Sequence, residues 1–211
     1  ACAPYRRLHL CHHNLEKMGT KKIDNTHKLL AEVCYAAKEE GETLTTQHGQ
    51  HKGTNPDSKI CTVLARSFAD IGDIVRGKDL FLGNDKEKDQ RKQLDKKLKE
   101  IFKKIYKELT STSGKKEEIE RRYENDTDNY YKLREDWWTI NRDQVWEAIT
   151  CKAEGAYFRP TCNSSDTQGP SQANNKCRCE KKSGTSGNVS IVPTYFDYVP
   201  QYLRWFEEWA E

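Results

Sequence analysis

The sequence contains no run of about 18 consecutive apolar residues, the length that a membrane-spanning helix requires, so we expect no segment of it to insert into a membrane. It also lacks common enzyme motifs: there is no glycine-rich phosphate loop, no G-x-S-x-G nucleophile elbow and no H-E-x-x-H zinc motif. We therefore predict no catalytic residue, no cofactor and no metal site, and we expect a binding protein rather than an enzyme.

Apolar residues are also scarce. Hydrophobic residues make up 35% of the chain and charged residues 33%, with a mean hydropathy of −1.00. That is less apolar than an average globular domain, so a single deep core is hard to build. Aromatic residues offset part of the deficit, because each buries a large area. We expect several thin helical layers that disulfides hold together.

Eight cysteines form two groups, separated by residues 62–150, which contain none. The first group is Cys2, Cys11, Cys34 and Cys61, and the second is Cys151, Cys162, Cys177 and Cys179. An even count with no C-x-x-C pair favours disulfides in an oxidising compartment over metal or redox sites. We predict pairing within each group, with Cys177 and Cys179 bonded to Cys151 and Cys162 in an order that stays open.

A metal site is the alternative for the first group. His9, Cys11, His12 and His13 lie close together, and His9 and His13 would share one face of a helix. We favour the disulfide interpretation, because Cys11 has a use in pairing and no second compact Cys/His pair lies nearby.

The spacing of apolar residues predicts an all-α fold. A helix that is capped by Asp24 or Thr26 should end at Gly41, and residues 41–57 should form a loop. A second helix, from Ile60, should end at Gly77.

The second half continues the helical pattern. The strongest helix prediction covers residues 86–110, where leucine and isoleucine recur every three or four positions. Residues 115–136 should be helical, and Asn141 should cap a further helix. Residues 151–192 are predicted to be a disulfide-rich polar loop region before a last helix.

Positive charge is concentrated in residues 86–122, which contain 14 Lys/Arg and 8 Asp/Glu. Five of these lysines fall within an arc of about 80° on the predicted helix, opposite its apolar stripe. They are Lys92, Lys96, Lys99, Lys103 and Lys107. Spread over about 22 Å, they suit a linear polyanion such as a sulfated polysaccharide. The alternative is that they only solvate the helix.

Arg6 and Arg7 form a second basic pair, which we include among the candidate glycan-binding residues. Oxidised cysteines argue against nucleic acid as the polyanion, because nucleic-acid-binding proteins work mostly in reducing compartments.

Four segments carry a resemblance to a known family. They read APYRRLHLC at 3–11, CTVLARSFADIGDIVRG at 61–77, REDWW through VWEAITC at 134–151, and PTYFDYVPQYLRWFEEW at 193–209. These segments resemble, in this order, motifs of Duffy-binding-like domains, and together they resemble the alpha class in erythrocyte membrane protein 1 of the malaria parasite. The resemblance spans nearly the whole chain.

This resemblance implies an all-α, disulfide-linked Duffy-binding-like fold with two subdomains, at 1–85 and 86–211. It also implies a preceding N-terminal segment and a third subdomain after residue 211, so we expect the chain to be part of a longer protein. Motif residues are expected to be mostly scaffold, with Arg66 or Asp70 in internal ion pairs. The expected core residues are Phe68, Trp137, Trp146 and Trp205.

The function that the resemblance implies is adhesion by a variant surface antigen on the infected erythrocyte. Its implied partners are host glycans, such as heparan sulfate or blood-group sugars, or host receptor proteins. We expect heparan-sulfate-like glycans on the lysine face, and no nucleic acid. Two alternatives stay open: a protein-binding module, and a scaffold segment whose binding surface lies in neighbouring domains.

Overall fold

The structure is a computed structural model that describes residues 2–51, 53, 59–112, 114, 116–126, 128–157, 159–162, 169–180 and 191–210. Its helices are α1 (Tyr5–Leu8), α2 (His13–Lys17), α3 (Thr26–His51), α4 (Ile60–Arg76), α5 (Asp85–Thr112), α6 (Lys116–Arg122), α7 (Tyr131–Ile149) and α8 (Gln201–Ala210). Two short strands, β1 (Pro160–Cys162) and β2 (Ser171–Gln172), pair antiparallel. The predicted all-α fold is confirmed.

Three helices, α3, α4 and α7, form the centre of the core. Phe68 of α4 lies between two indoles of α7, with its ring centroid 5.1 Å from Trp138 and 5.1 Å from Trp146. All three side chains are fully buried. The predicted role of Phe68 as core is therefore confirmed, and aromatic packing supplies much of the apolar area that the composition lacks.

Helix α3 runs past the predicted stop at Gly41 and continues to His51. The prediction of a loop over 41–57 is wrong for residues 41–51, because Gly41 is a packing position and not a helix end. A Cβ atom there would lie 1.9 Å from the carbonyl oxygen of Ile149. The helix start also differs by one residue, since the Asn25 side chain accepts the Lys28 amide at 3.0 Å.

Helix α7 begins earlier than predicted. Asn141 lies in its middle and donates its side-chain amide to the Trp137 carbonyl at 2.7 Å, so it does not cap a helix. The start is instead set by Asp126, whose carboxylate accepts the backbone amides of Lys132 and Leu133.

The polar region 151–192 contains the strand pair β1–β2 and one disulfide. Cys162 bonds Cys179, which confirms one bond of the predicted second group. The same bond closes a short loop of 17 residues.

The other disulfide joins Cys61 to Cys177, across 116 residues, so the prediction of pairing within each group is wrong here. The N-terminus of α4 packs against the polar region, where Cys177 donates its amide to the Gly155 carbonyl at 3.0 Å. A Cβ on Gly155 would lie 3.3 Å from the Cys61 sulfur. Cysteines distant in sequence therefore meet in space. The remaining four, Cys2, Cys11, Cys34 and Cys151, are free thiols.

We predict that a non-reducing peptide map will link the peptide of Cys61 to that of Cys177, and the peptide of Cys162 to that of Cys179. Alkylation before digestion should label the four free thiols. A bond between Cys177 and Cys151, or one between any two of the first-group cysteines, would contradict this pairing.

Candidate functional site: the basic face of helix α5

Helix α5 is two-sided, and its apolar stripe is buried. Phe102 meets the edge of Trp137 at a centroid distance of 6.1 Å, and Tyr106 contacts Tyr130 at 6.0 Å. The buried stripe is Leu94, Leu98, Ile101 and Ile105. Because this side is packed against α7, the opposite side of the helix is held in a fixed position.

Two lysines at the edge of the stripe bind α5 to α2 and to the turn that follows α2. Lys97 donates its ammonium group to the Glu16 carbonyl, and Lys104 donates to the Thr20 carbonyl. Both are half-buried. These two cations therefore have a structural role, which separates them from the five predicted lysines.

The five predicted lysines form what we call the lysine ridge. Its members, Lys92, Lys96, Lys99, Lys103 and Lys107, are all exposed. None of them forms an ion pair with any residue in the part of the chain that the structure describes. The ridge is therefore a row of solvated ammonium groups along one rigid helix, and it presents charge without a fixed bonding geometry.

Arg6 does not belong to this surface, and its prediction as a glycan-binding residue is wrong. Its guanidinium lies 2.7 Å from the Asp70 carboxylate and 2.8 Å from Glu208, and it donates to the Ser67 hydroxyl at 3.0 Å. Both carboxylates raise the pKa of Arg6 against the opposing effect of burial. Its donors are thus used within the protein.

Arg7 is also internal, so its prediction as a glycan-binding residue is wrong. Its side chain is completely buried and donates to Asp79 at 2.7 and 3.2 Å. Burial lowers the pKa of Arg7 to about 10. In a sequence, two adjacent arginines are typical of an exposed basic pair. Here both arginines bind carboxylates more than 60 positions away, inside the protein.

Buried ion pairs extend from Asp70 to the last helix. Arg204 of α8 lies 2.8 Å from Asp70 and 2.5 Å from Asp73, and Gln201 donates to Asp70 at 3.1 Å. The predicted internal ion pairing of Asp70 is confirmed. This network holds α1 and α8 on α4, so the three helices form a rigid scaffold.

Exposed aromatic side chains on α8 form a second surface. Phe206 and Trp209 are 74% and 61% exposed, and Tyr202 is 51% exposed. Their spacing of four and three residues places them on one face of the helix. Trp209 donates its indole N–H to the Cys2 carbonyl at 2.9 Å.

A family model for the Duffy binding domain matches residues 1–204. The chain belongs to the Duffy-binding domain family. This confirms the resemblance that the four sequence motifs carry. Duffy-binding domains are adhesion domains and not enzymes, which agrees with the missing enzyme motifs.

Solved structures of Duffy-binding domains share the fold. The NTS-DBL1(alpha-1) domain of Plasmodium falciparum PfEMP1 from the varO strain is 44% identical with a TM-score of 0.74, over 100% of this chain and 43% of that one. The varO double domain of NTS-DBL1-alpha and CIDR-gamma is 43% identical with a TM-score of 0.74, over 100% and 28%. The PfEMP1 IT4var13 DBLbeta domain bound to ICAM-1 is 31% identical with a TM-score of 0.67, over 100% and 44%.

The chain spans less than half the length of these three solved chains. Among curated proteins, no relative of the chain is found. In the described residues, no helix has both the length and the apolar character needed to cross a membrane.

Proposed function

We propose that this Duffy-binding domain is a host-cell adhesion module, displayed on the surface of the infected erythrocyte, that binds sulfated glycans such as heparan sulfate through the lysine ridge. One observation carries the proposal: five exposed lysines without ion-pair partners among the described residues lie along one face of a helix whose other face is core. A rigid row of cations gives a linear polyanion several contacts at once.

The affinity of such a surface depends on salt, because exposed charges are screened by added ions. We expect the wild-type chain to be retained on immobilised heparin and to elute within a salt gradient. The variant Lys96→Glu/Lys99→Glu/Lys103→Glu should elute at a much lower salt concentration or flow through. Circular dichroism and thermal unfolding would first establish that both proteins are folded.

A matched control carries the same change in net charge elsewhere. Lys38, Lys59 and Lys152 are exposed and lie outside α5, so their replacement by glutamate removes the same total charge. If the control triple shifts elution as strongly as the ridge triple, net charge and not the ridge governs retention, and the proposal fails.

A protein receptor is the second candidate, and two observations favour it. A relative of 31% identity has been solved with ICAM-1 bound, and the aromatic face of α8 exposes Tyr202, Phe206 and Trp209. Aromatic side chains are enriched where protein interfaces are most strongly stabilised. Binding to a recombinant receptor ectodomain that weakens on Phe206→Ser, and varies little with salt, would support this candidate over the glycan.

A further inference from the structure

A cavity of about 240 Å³ lies beside the lysine ridge, between the first turns of α5 and the segment that connects α4 to α5. Phe81, Leu82 and Leu94 supply apolar walls, and Lys88, Arg91 and Lys92 supply cations. Lys92 also belongs to the ridge, so the cavity opens at one end of the proposed glycan surface.

Asp79 and Arg91 line the cavity, and Arg7 bonds the same carboxylate from outside the lining. Asp79 accepts hydrogen bonds from Arg7 at 2.7 and 3.2 Å, and it also pairs with Arg91. Gln201 donates to the same carboxylate at 2.7 Å. Asp79 therefore has its acceptor capacity filled, while a single negative charge faces two guanidinium groups.

Each of these guanidiniums keeps an unused donor. The Nη1 atoms of Arg7 and Arg91 are buried, and neither has a hydrogen-bond partner among the residues that the structure describes. Burial, followed by repulsion from Arg7, lowers the pKa of Arg91 to about 9. Two buried guanidiniums that share one carboxylate leave positive charge beside the cavity, and an anion in the cavity would supply the missing negative charge.

The charges at the mouth of the cavity are positive, like those of the two guanidiniums. Lys88 and Lys92 are both exposed and lie four residues apart on α5. Asp95 is the other carboxylate on the cavity wall, and Arg134 neutralises it at 2.8 Å. The lining itself therefore has three cations, Lys88, Arg91 and Lys92, for two carboxylates that are already paired.

We propose that this cavity binds one oxyanion group of the glycan, a sulfate or a uronate carboxylate, whose chain continues from Lys92 along the lysine ridge. The inference rests on the proposed function, since it names a subsite of that surface. A guanidinium suits this role because its planar donors match the oxygens of such groups. Apolar walls exclude water and strengthen the charge-assisted bonds.

The test uses monosaccharides, which are too short to occupy the ridge. Binding of glucosamine N-sulfate, of glucuronate and of uncharged N-acetylglucosamine would be followed by the NMR signal of the Arg91 side-chain Nε–H. We expect one or both anionic sugars to shift this signal and the uncharged sugar to leave it unchanged. The two anionic arms show which oxyanion the cavity prefers.

Two variants locate the binding. Arg91→Gln should weaken the binding of the anionic sugar about tenfold, the effect of losing one charge-assisted hydrogen bond. Leu82→Trp fills the mouth from an exposed position and leaves every charge in place, so it tests the cavity even if Arg91→Gln does not fold. Affinity in both variants is measured by calorimetry or by backbone amide shifts.

The ridge triple Lys96→Glu/Lys99→Glu/Lys103→Glu lies outside the cavity lining and should keep its affinity for the monosaccharide. Equal affinity in wild type and folded Leu82→Trp, or no binding of either anionic sugar by wild type, would overturn the proposed pocket. The proposed function would survive that result if heparin were still retained. Binding of the anionic sugar with no retention on heparin would instead sustain the pocket and remove the ridge function.

Discussion

Replacing Asp70 with asparagine is expected to lower the free energy of unfolding by about 3–5 kcal/mol, because it removes the negative charge from a buried ion-pair network. The Asp70 side chain is completely buried on α4. Its two oxygens lie 2.7 Å from Arg6 and 2.8 Å from Arg204. Asparagine keeps the shape of the side chain but removes one of the two carboxylates that each guanidinium contacts, so Arg6 keeps only Glu208 and Arg204 keeps only Asp73.

The size of the effect follows from what the carboxylate connects. Arg6 belongs to α1 and Arg204 to α8, so one side chain on α4 joins three distant parts of the chain. Gln201 donates to the same carboxylate at 3.1 Å. Loss of the charge therefore weakens the docking of both ends of the chain, and not only one pair.

Urea unfolding at pH 7 would measure the effect of Asp70→Asn. Asp24→Asn is the matched control, since Asp24 forms an exposed pair with Lys28 at 2.8 Å and should leave the unfolding midpoint unchanged. A midpoint for Asp70→Asn that coincides with that of the control would show that the network does not hold the fold together.

The same residue predicts a pH dependence. Burial opposes ionisation of Asp70, but Arg6 and Arg204 outweigh it and hold the pKa of this carboxyl below its usual range. A carboxylate with a depressed pKa stabilises the folded state above its unfolded pKa of about 3.9, and that stability is lost as the pH falls through the folded pKa. Unfolding free energy should therefore drop in acid.

Asp73 complicates the total curve, because burial raises the pKa of this neighbouring carboxyl despite the opposing attraction of Arg204. Its contribution to the pH dependence has the opposite sign. The informative quantity is thus the difference between wild type and Asp70→Asn, which should shrink as the pH falls from 5 towards 2. A difference that stays constant would contradict a depressed pKa.

Local patterns in the sequence predicted local structure well. The recurrence of apolar residues placed α4 and α5 almost at their observed bounds, and Gly77 ends α4 with a φ of +74° as predicted. These features depend on interactions within a few residues of the chain. The five lysines of the ridge were predicted for the same reason, since their exposure follows from the helical period and the buried stripe.

Features that depend on distant partners were not predictable from one sequence. Arg6 was assigned to the surface because its carboxylates, Asp70 and Glu208, lie 64 and 202 positions away. Cys61 was assigned a nearby partner, although the fold brings it to Cys177. Each error arose because contacts were predicted from separation in the sequence, whereas the fold brings distant residues together.

Gly41 shows the same limit in the backbone. A glycine late in a helical pattern is typical of a helix end, but it equally suits a place where another backbone approaches closely. Glycine is typical of both situations, so the sequence alone does not distinguish them. Only the position of α7 in the fold decides. That position leaves no room for a side chain at Gly41.

Replacing Gly41 with alanine is therefore expected to lower the free energy of unfolding by about 3 kcal/mol or more, at the upper end of the usual cost of overpacking. The new Cβ would lie 1.9 Å from the Ile149 carbonyl oxygen and 2.8 Å from its carbonyl carbon. Both are backbone atoms of α7, so no change of side-chain rotamer relieves the overlap. The helices α3 and α7 must separate, and their shared core opens.

Gly49 offers a control in the same helix, because a Cβ atom there would meet nothing within 4 Å. Gly49→Ala should raise the free energy of unfolding by about 0.5–1 kcal/mol, since alanine loses less backbone entropy in a helix. The two substitutions are chemically identical, and their expected effects have opposite signs. Thermal and urea unfolding of both variants would show whether the contact of α3 with α7 sets this difference, and equal effects would contradict the close approach at Gly41.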